Sequence, residues 1–429
     1  MLSVVSPTDS SATIFCPPRN FHFLPQLSIQ GYPHSSVSTK ACLKLPAEII
    51  LLIAEHLWML TGQAKKKEAL MARQRNMRNF SEVSKAFHWA AARWLYRCPE
   101  LGTGESLIKF ERTVSQYGTK LGRWLQVLEL GKIEPGIHNE LLARLLSQTK
   151  PVIFEAPPTP FGVEGLTALS ASENIQKLDL GRVSGIEFLD LKQTISHLPQ
   201  LEHVTLPFEM AIVDIDISVG DWPASIESIT LGGTLDPDVM HNFQWPTHPF
   251  DLVLRNCRNL PTVSQVATLD SIFASETICE FLVRLYISSD NGLLSSSMTT
   301  GFLYSLPNLV ELRIPLDMVE DFLILPAPVA VLPIKVLELD EPGSGSMQKK
   351  FTSFLRVALD TNLSNLVSLG LPQIPPVLWK CNYHAIHNKL AAHVRKTPSV
   401  ELPDLHGSRL LGLWNMSYPQ DSPACLCSS

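Results

Sequence analysis

Apolar residues along this chain follow two different rhythms. In the first, Ile49, Leu52, Ile53 and Leu57 recur at i, i+3, i+4 and i+8, which places them on one stripe of a helix. Leu45-Pro46-Ala47-Glu48 supplies the start. Proline is preorganised for the first helical position, and a glutamate in the first turn faces the unpaired N–H groups and the positive end of the dipole. The rhythm returns at Phe80, Val83 and Phe87, with Asn79 and Glu82 placed as a capping pair. A third helical segment runs through Ala90, Ala91, Trp94 and Leu95 and stops near Pro99. The pattern predicts a small all-α module over 41–99. Its core is marginal by area, so the module is completed by a partner or by the next domain, and what is left of its apolar stripe is a docking face.

The second rhythm begins after residue 121 and is a repeat. Leu125-Gln-Val-Leu128-Glu-Leu130 shares one template, φxxφxφ, with segments that open at 175, 201, 226, 282, 309, 334 and 366; weaker copies open at 149 and 249. The ten starting positions lie 24, 26, 26, 25, 23, 33, 27, 25 and 32 residues apart, a period of leucine-rich-repeat length. In φxφ an outward residue stands between two inward ones, as one short strand per repeat requires, and each strand buries its inner side only by stacking on its neighbours. The predicted fold class is therefore α/β. A short N-terminal helical module is followed, over 100–415, by a curved solenoid of about ten irregular repeats with a parallel β-sheet. Outer helices are expected at 140–146 and 351–359. Residues between the apolar template positions face solvent on the sheet, among them Lys177, Asp179, Asp251, Arg284, Tyr286, Glu311, Arg313 and Glu338. Arg284, Tyr286, Glu311 and Arg313 fall on adjacent repeats, and Arg and Tyr are favoured interface anchors, so these four are the candidate substrate-binding patch.

Composition changes this picture little; charge changes it more. The 429 residues are 45% hydrophobic and 18% charged, as in a folded protein, and 32 prolines imply many short elements. Net charge is −6, yet Lys65 to Arg97 holds nine basic residues against Glu68 and Glu82. The rest of the chain therefore carries −13. A basic patch on an acidic body points to an acidic partner or a nuclear-import signal, or is simply a solvated helix face. Residues 1–40 and 416–429 have no sustained period and read as a disordered leader and a flexible tail. The eight cysteines have no paired spacing and no apolar start of signal-peptide length precedes them, which suits a reduced cytoplasmic or nuclear setting. The apolar stretch Phe322 to Leu339 is broken by three prolines, so no membrane partner is expected.

The N-terminal module resembles an F-box. The residues that carry the resemblance are Leu45-Pro46-x-Glu48-Ile49, Ile53, Leu57, Phe80-x-x-Val83-Ser84-Lys85-x-Phe87 and Trp94-Leu95-Tyr96. It covers about 55 residues and departs from the family at 61–78, where a basic insertion lengthens the link. With the repeats behind it, the chain resembles the F-box/leucine-rich-repeat family. The resemblance implies a non-catalytic substrate receptor of an SCF-type cullin–RING ubiquitin ligase. Leu45, Pro46, Ile49, Ile53, Leu57, Val83 and Phe87 would then contact the acidic Skp adaptor, through it the cullin, while the repeats hold a protein substrate. The alternative is a leucine-rich-repeat interaction scaffold unconnected with ubiquitin, its helical module capping the solenoid.

Catalytic chemistry is not legible. No HExxH, GxSxG or Walker-type loop is present, and no cysteine set has zinc spacing. Gly102-Thr-Gly-Glu-Ser106 lacks the phosphate-binding lysine and reads as a loop, as does Gly343-Ser-Gly-Ser346. His384, His387 and His393 lie at helical spacing, and the two that stand three apart could share a metal; no third ligand at metal spacing accompanies them, so surface or capping roles are expected, with no metal and no cofactor. The basic run has no interleaved aromatics, which argues against nucleic acid.

Overall fold

The computed structural model describes residues 45–59, 66–117, 119–135, 139–213, 220–259, 265–291, 300–316, 331–340, 351–371, 383–396 and 412–415. The leader, the tail and the Gly343–Ser346 loop lie outside them. Three helices open the fold: α1 (Ala47–Met59), α2 (Lys66–Ser81) and α3 (Lys85–Arg97). They enclose Ile50, Ala54, Trp58, Met77, Phe80, Ala90, Ala91 and Trp94. The buried line of α1 is thus 50, 54 and 58, not the predicted 49, 52, 53 and 57. The cause is Trp58, the largest side chain of the helix, which stacks on Trp94 with ring centroids 5.5 Å apart and takes Arg73 on its face. Burying that indole turns Ile49 and Leu52 outward and leaves Ile53 and Leu57 half-buried.

The second helix boundary also moves. Ser84 is extended and its hydroxyl accepts from the Phe87 N–H, so it is the N-cap of α3, in place of the Asn79–Glu82 pair. Phe80 closes α2 and Phe87 opens α3; their rings meet at 4.7 Å across the break. The basic run from Lys66 to Arg78 is helical as part of α2 instead of looping out. Gly104, Glu105 and Ser106, read as loop, form the first turn of α4 (Gly104–Tyr117), because Thr103 and Ser106 exchange side-chain to backbone bonds in a capping box.

Beyond α4 the described residues form twelve strands: β1 (Val127–Glu129), β2 (Ile153–Glu155), β3 (Lys177–Asp179), β4 (His203–Thr205), β5 (Ala211–Ile212), β6 (Ser228–Leu235), β7 (Phe250–Asn259), β8 (Leu282–Ile287), β9 (Glu311–Pro315), β10 (Val336–Asp340), β11 (Ser368–Leu371) and β12 (Gly412–Asn415). Eleven of them pair in parallel and in chain order, and β5 pairs only with the far end of β6. In the register, Leu128, Phe154, Leu178, Val204, Ile229, Leu252, Leu285, Leu312, Leu337 and Leu369 stand in one column. All are buried in a single apolar core with the inner residues of the helices between strands, such as Leu142 and Leu145 of the helix Asn139–Gln148 and Leu355 and Leu359 of Phe351–Asp360. Each such leucine or phenylalanine contributes about 1.5–3 kcal/mol. The column is what makes the array cohere.

The weak copy at 149 is out of phase by two residues. Thr149 ends the preceding helix, its N–H and hydroxyl both bonded to Leu145 O, and the column residue is Phe154, so this repeat reads Pro151-x-x-Phe154-x-Ala156. The array also continues past the copy at 366, since β12 pairs with β11. Where β6 outruns the template it bulges at Gly233, whose φ of +86° and closeness to the Met210 carbonyl exclude a side chain.

Candidate functional site

Two surfaces can engage another molecule: the outer face of the sheet and the outer face of the three-helix module. On the sheet, residues two apart along a strand share a face, and neighbouring rungs are about 4.8 Å apart. Two rows result. One runs Val127, Ile153, Lys177, His203, Ser228; the other runs Glu129, Glu155, Asp179, Thr205, Thr230. Across β7 to β10 the same rows are Asp251, Arg284, Glu311, Val336 and Val253, Tyr286, Arg313, Glu338.

The four residues predicted as a substrate-binding patch do come together, with Arg284 beside Glu311 and Tyr286 beside Arg313. They are bound to their neighbours rather than extended into solvent. Arg284 forms an ion pair with Asp251 through Nε. The Arg313 guanidinium lies 4.5 Å from the centre of the Tyr286 ring; its Nη2 is 2.9 Å from Asp340 Oδ1 and its Nη1 3.7 Å from Glu338 Oε2. Glu338, expected to face solvent, is 5% exposed and Asp340 4%. Two carboxylates beside one guanidinium explain why they can be buried at all. Burial works against the charge on Arg313, but the hydrogen bonds and charge of Asp340, with Tyr286 and Glu338 adding to them, together hold its pKa above the ordinary value. Tyr286 is raised by burial and then by Asp340. Asp340 escaped the sequence reading because it lies one step beyond the template, although it has the same parity as Glu338.

Burial pushes the Asp251 carboxyl up to about 6, with Glu311 and Glu227 adding to the shift and Arg284 opposing it. Its proton is therefore held more tightly folded than unfolded, so the stabilisation linked to Asp251 is complete below the unfolded value near 3.8 and is lost as pH rises through about 6. Urea unfolding from pH 4 to 7 should show the wild type losing on the order of 2–3 kcal/mol of stability relative to Asp251→Asn. A wild type that holds level with the variant or gains on it as pH rises would contradict this.

In the first half of the sheet the second row carries Glu129, Glu155 and Asp179 on adjacent rungs. Glu155 is raised first by burial and then by Asp179 and Glu129, with Arg182 and Lys132 opposing. Sequence reasoning missed Glu155 because the copy at 149 was out of phase; shifting it by two puts 155 on the outer row.

The seven residues expected from the sequence to contact an adaptor divide. Leu45, Pro46, Ile49 and Val83 are exposed, Ile49 at 41% and Val83 at 64%, whereas Ile53, Leu57 and Phe87 are half-buried against the module's own core. Leu52 and Trp89, absent from that set, are exposed beside them in sequence, at 59% and 50%. The module is also joined to the array. In successive repeats the second template residue donates its N–H to the second residue of the repeat before: Val152 to Gln126, Gln176 to Val152, Glu202 to Gln176, Glu227 to Glu202. Gln126 itself donates to Arg97 O at 2.9 Å, so the last residue of α3 occupies the rung before the first repeat. Arg97 Nε bonds the Gln126 side chain, and Tyr96 stacks on Phe110 of α4 at 5.9 Å and packs on the array's core.

His387 is exposed and His393 Nδ1 is in hydrogen-bond contact with Leu366 O at 2.9 Å, while His384's side chain lies outside the described residues. Among the described residues no three His, Cys, Asp or Glu side chains group to hold a metal ion, and no helix is long and apolar enough to cross a membrane.

No protein-family model and no curated protein matches this chain. Among solved structures it is similar to an internalin (inlF) from Listeria monocytogenes str. 4b F2365, at 13% identity and a TM-score of 0.29, over 78% of this chain and 93% of that one.

Proposed function

We propose that this chain is a non-catalytic leucine-rich-repeat interaction scaffold that holds a partner protein on the outer face of its parallel sheet. The observation that carries the reading is the unbroken ladder of parallel rungs, which fixes two rows of outward side chains, most of them polar and half-exposed, at regular spacing on a rigid backing. Such a surface supplies position and contact area, and its ion-paired residues are already ordered, which lowers the entropic cost of binding. The three-helix module acts as the array's N-terminal cap, covering an end that would otherwise be left open. A photo-crosslinking amino acid placed at His203, Thr230 or Tyr286 should trap a partner in cells, and one at Glu164 or Glu187 on the helical side should not. Equal trapping from both sides would remove the reading.

A second reading is favoured by the exposed apolar residues Ile49, Leu52, Val83 and Trp89 on that module. Together with the F-box resemblance they support contact with the Skp adaptor of an SCF-type ligase, the repeats then presenting a substrate for ubiquitination in the cytoplasm or nucleus. Ile49→Asp with Val83→Asp alters only exposed positions, so the fold should survive. Calorimetry with purified Skp adaptor should give one-to-one binding by wild type and at least a 100-fold loss in the double variant; no heat from the wild type sinks this reading and leaves the scaffold intact.

A further inference from the structure

We infer that the free end of the three-helix module docks on an anionic lipid surface, with Val83 and Trp89 entering the headgroup layer and Arg75, Arg78 and Arg93 meeting its acidic groups. The inference goes beyond the scaffold reading, which concerns the sheet, and competes with the adaptor reading for one end of the module. Three contacts define that end. Trp58 stacks on Trp94, Arg73 lies over Trp58, and Gln74 gives Nε2 to Cys98 O at 2.7 Å, so the last turns of α1 and α3 meet beside the middle of α2. α1 therefore runs alongside α3, its first turn toward the Phe80–Phe87 contact where α2 breaks into α3. The other end of α3 is tied to the array through Arg97 O. At the usual helical rise, the 13 residues of α3 hold the break about 20 Å from that tie.

Apolar side chains collect at the break. Of the twelve large apolar side chains exposed among the described residues, Leu45, Ile49, Leu52, Val83 and Trp89 belong to this end, whereas Ile108, Val163, Val213, Val331 and Val357 of the array each stand on a different segment. A patch is thereby distinguished from ordinary scatter. Charge then selects the occupant. Lys65 to Arg97 holds nine basic residues against two acidic ones, and the rest of the chain carries −13. An anionic surface attracts the module and repels the body, which turns the free end toward it before contact. Lys85, Trp89 and Arg93 follow one another at four-residue steps on the exposed stripe of α3, so the indole lies between two cations on one face. A bilayer interface accepts that order, with an amphipathic ring at headgroup depth and cations beside it. Among the described residues no carboxylate lies within ion-pair distance of Arg75, Arg78 or Arg93. Glu48, Glu55 and Glu82 are the exposed acids of the module, and Glu82, at the break itself, is followed by Lys85. Nucleic acid would find one indole to stack on among aliphatic neighbours, so lipid is the better match. No described helix is long and apolar enough to cross a bilayer, so the contact is peripheral.

The test is co-sedimentation of the full chain with phosphatidylcholine vesicles, with and without about 30% phosphatidylserine, in about 150 mM salt. Binding should be at least tenfold tighter to the anionic vesicles. Arg75→Gln with Arg93→Gln and, separately, Val83→Ser with Trp89→Ser should each weaken it at least tenfold. Ile108→Ser with Val163→Ser, on helices of the array, should change it less than twofold. All six positions are exposed, so the variants should melt like the wild type. Brominated lipid should quench the tryptophan fluorescence of the wild type more than that of Trp89→Phe. Absence of binding, equal binding to both kinds of vesicle, or equal weakening by all three pairs overturns the inference. So does binding of the Skp adaptor by a chain that ignores the vesicles, which gives this end to an acidic protein. Crosslinks from Tyr286 on the sheet test the scaffold reading separately and should persist in every variant.

Discussion

Replacing Arg313 with methionine is expected to lower the stability of the chain by about 3–5 kcal/mol, the usual cost of leaving a buried carboxylate without its counter-charge. Asp340 receives Arg313 Nε at 3.0 and 3.1 Å as well as Nη2, and Glu338 stands on the directly paired rung. Methionine keeps most of the packing on Tyr286, so the loss reports charge rather than volume. Making Glu338→Gln and Asp340→Asn in the same chain should recover most of it, because the unpaired charges go with the guanidinium. Guanidinium chloride unfolding of the three proteins measures both steps. A single-variant loss below 1 kcal/mol would mean that the pair behaves as an exposed one.

That experiment also bears on what the sheet face is for. Arg284, Tyr286, Glu311 and Arg313 were selectable from the sequence because the φxxφxφ template fixes which positions point outward. Their internal pairing was not, because it depends on which rung of the next repeat stands opposite, and that follows from register. The same limit explains the copy at 149. Thr149 and Val152 satisfy the pattern, yet Thr149 is consumed by the helix before it, and only the pairing of Leu128 with Phe154 reveals the phase. Where leucine or isoleucine filled all three template positions, as at 125, 309 and 366, the strand lay where the spacing put it. Where a small or polar residue stood in for one, two phases were equally good.

The helical module was legible as helices and illegible in its facing. Periodicity located an apolar stripe on α1, but Trp58, at its edge, outweighs Ile49 and Leu52 in buried area and turns the helix toward itself. Exposure of those two residues is therefore a consequence of the tryptophan pair Trp58–Trp94. Such exposure leaves an apolar surface that a cap alone does not need, and it is the reason the adaptor reading persists beside the scaffold reading.

Removing residues 1–98 distinguishes a cap from an arm. If the module is the end of the array, the truncated chain loses the Arg97 rung under Gln126, the Tyr96 ring on Phe110 and the bond from Gln74 to Cys98 O that ties α2 to the exit of α3. Phe110 and Leu107, buried in the intact chain, stay at an end no longer covered, and the N–H of Gln126 has no acceptor. The expected outcome is a midpoint of thermal unfolding lower by on the order of 10 °C, with self-association through the uncovered end. Calorimetry and light scattering on the two chains would read both effects. A truncated protein that melts unchanged and stays monomeric would make the module a tethered arm, free to reorient when a partner binds Ile49 and Val83. A fall in melting temperature has the opposite meaning: whatever docks on the module is held at a fixed angle to whatever lies on the sheet, because one backbone ladder runs through both.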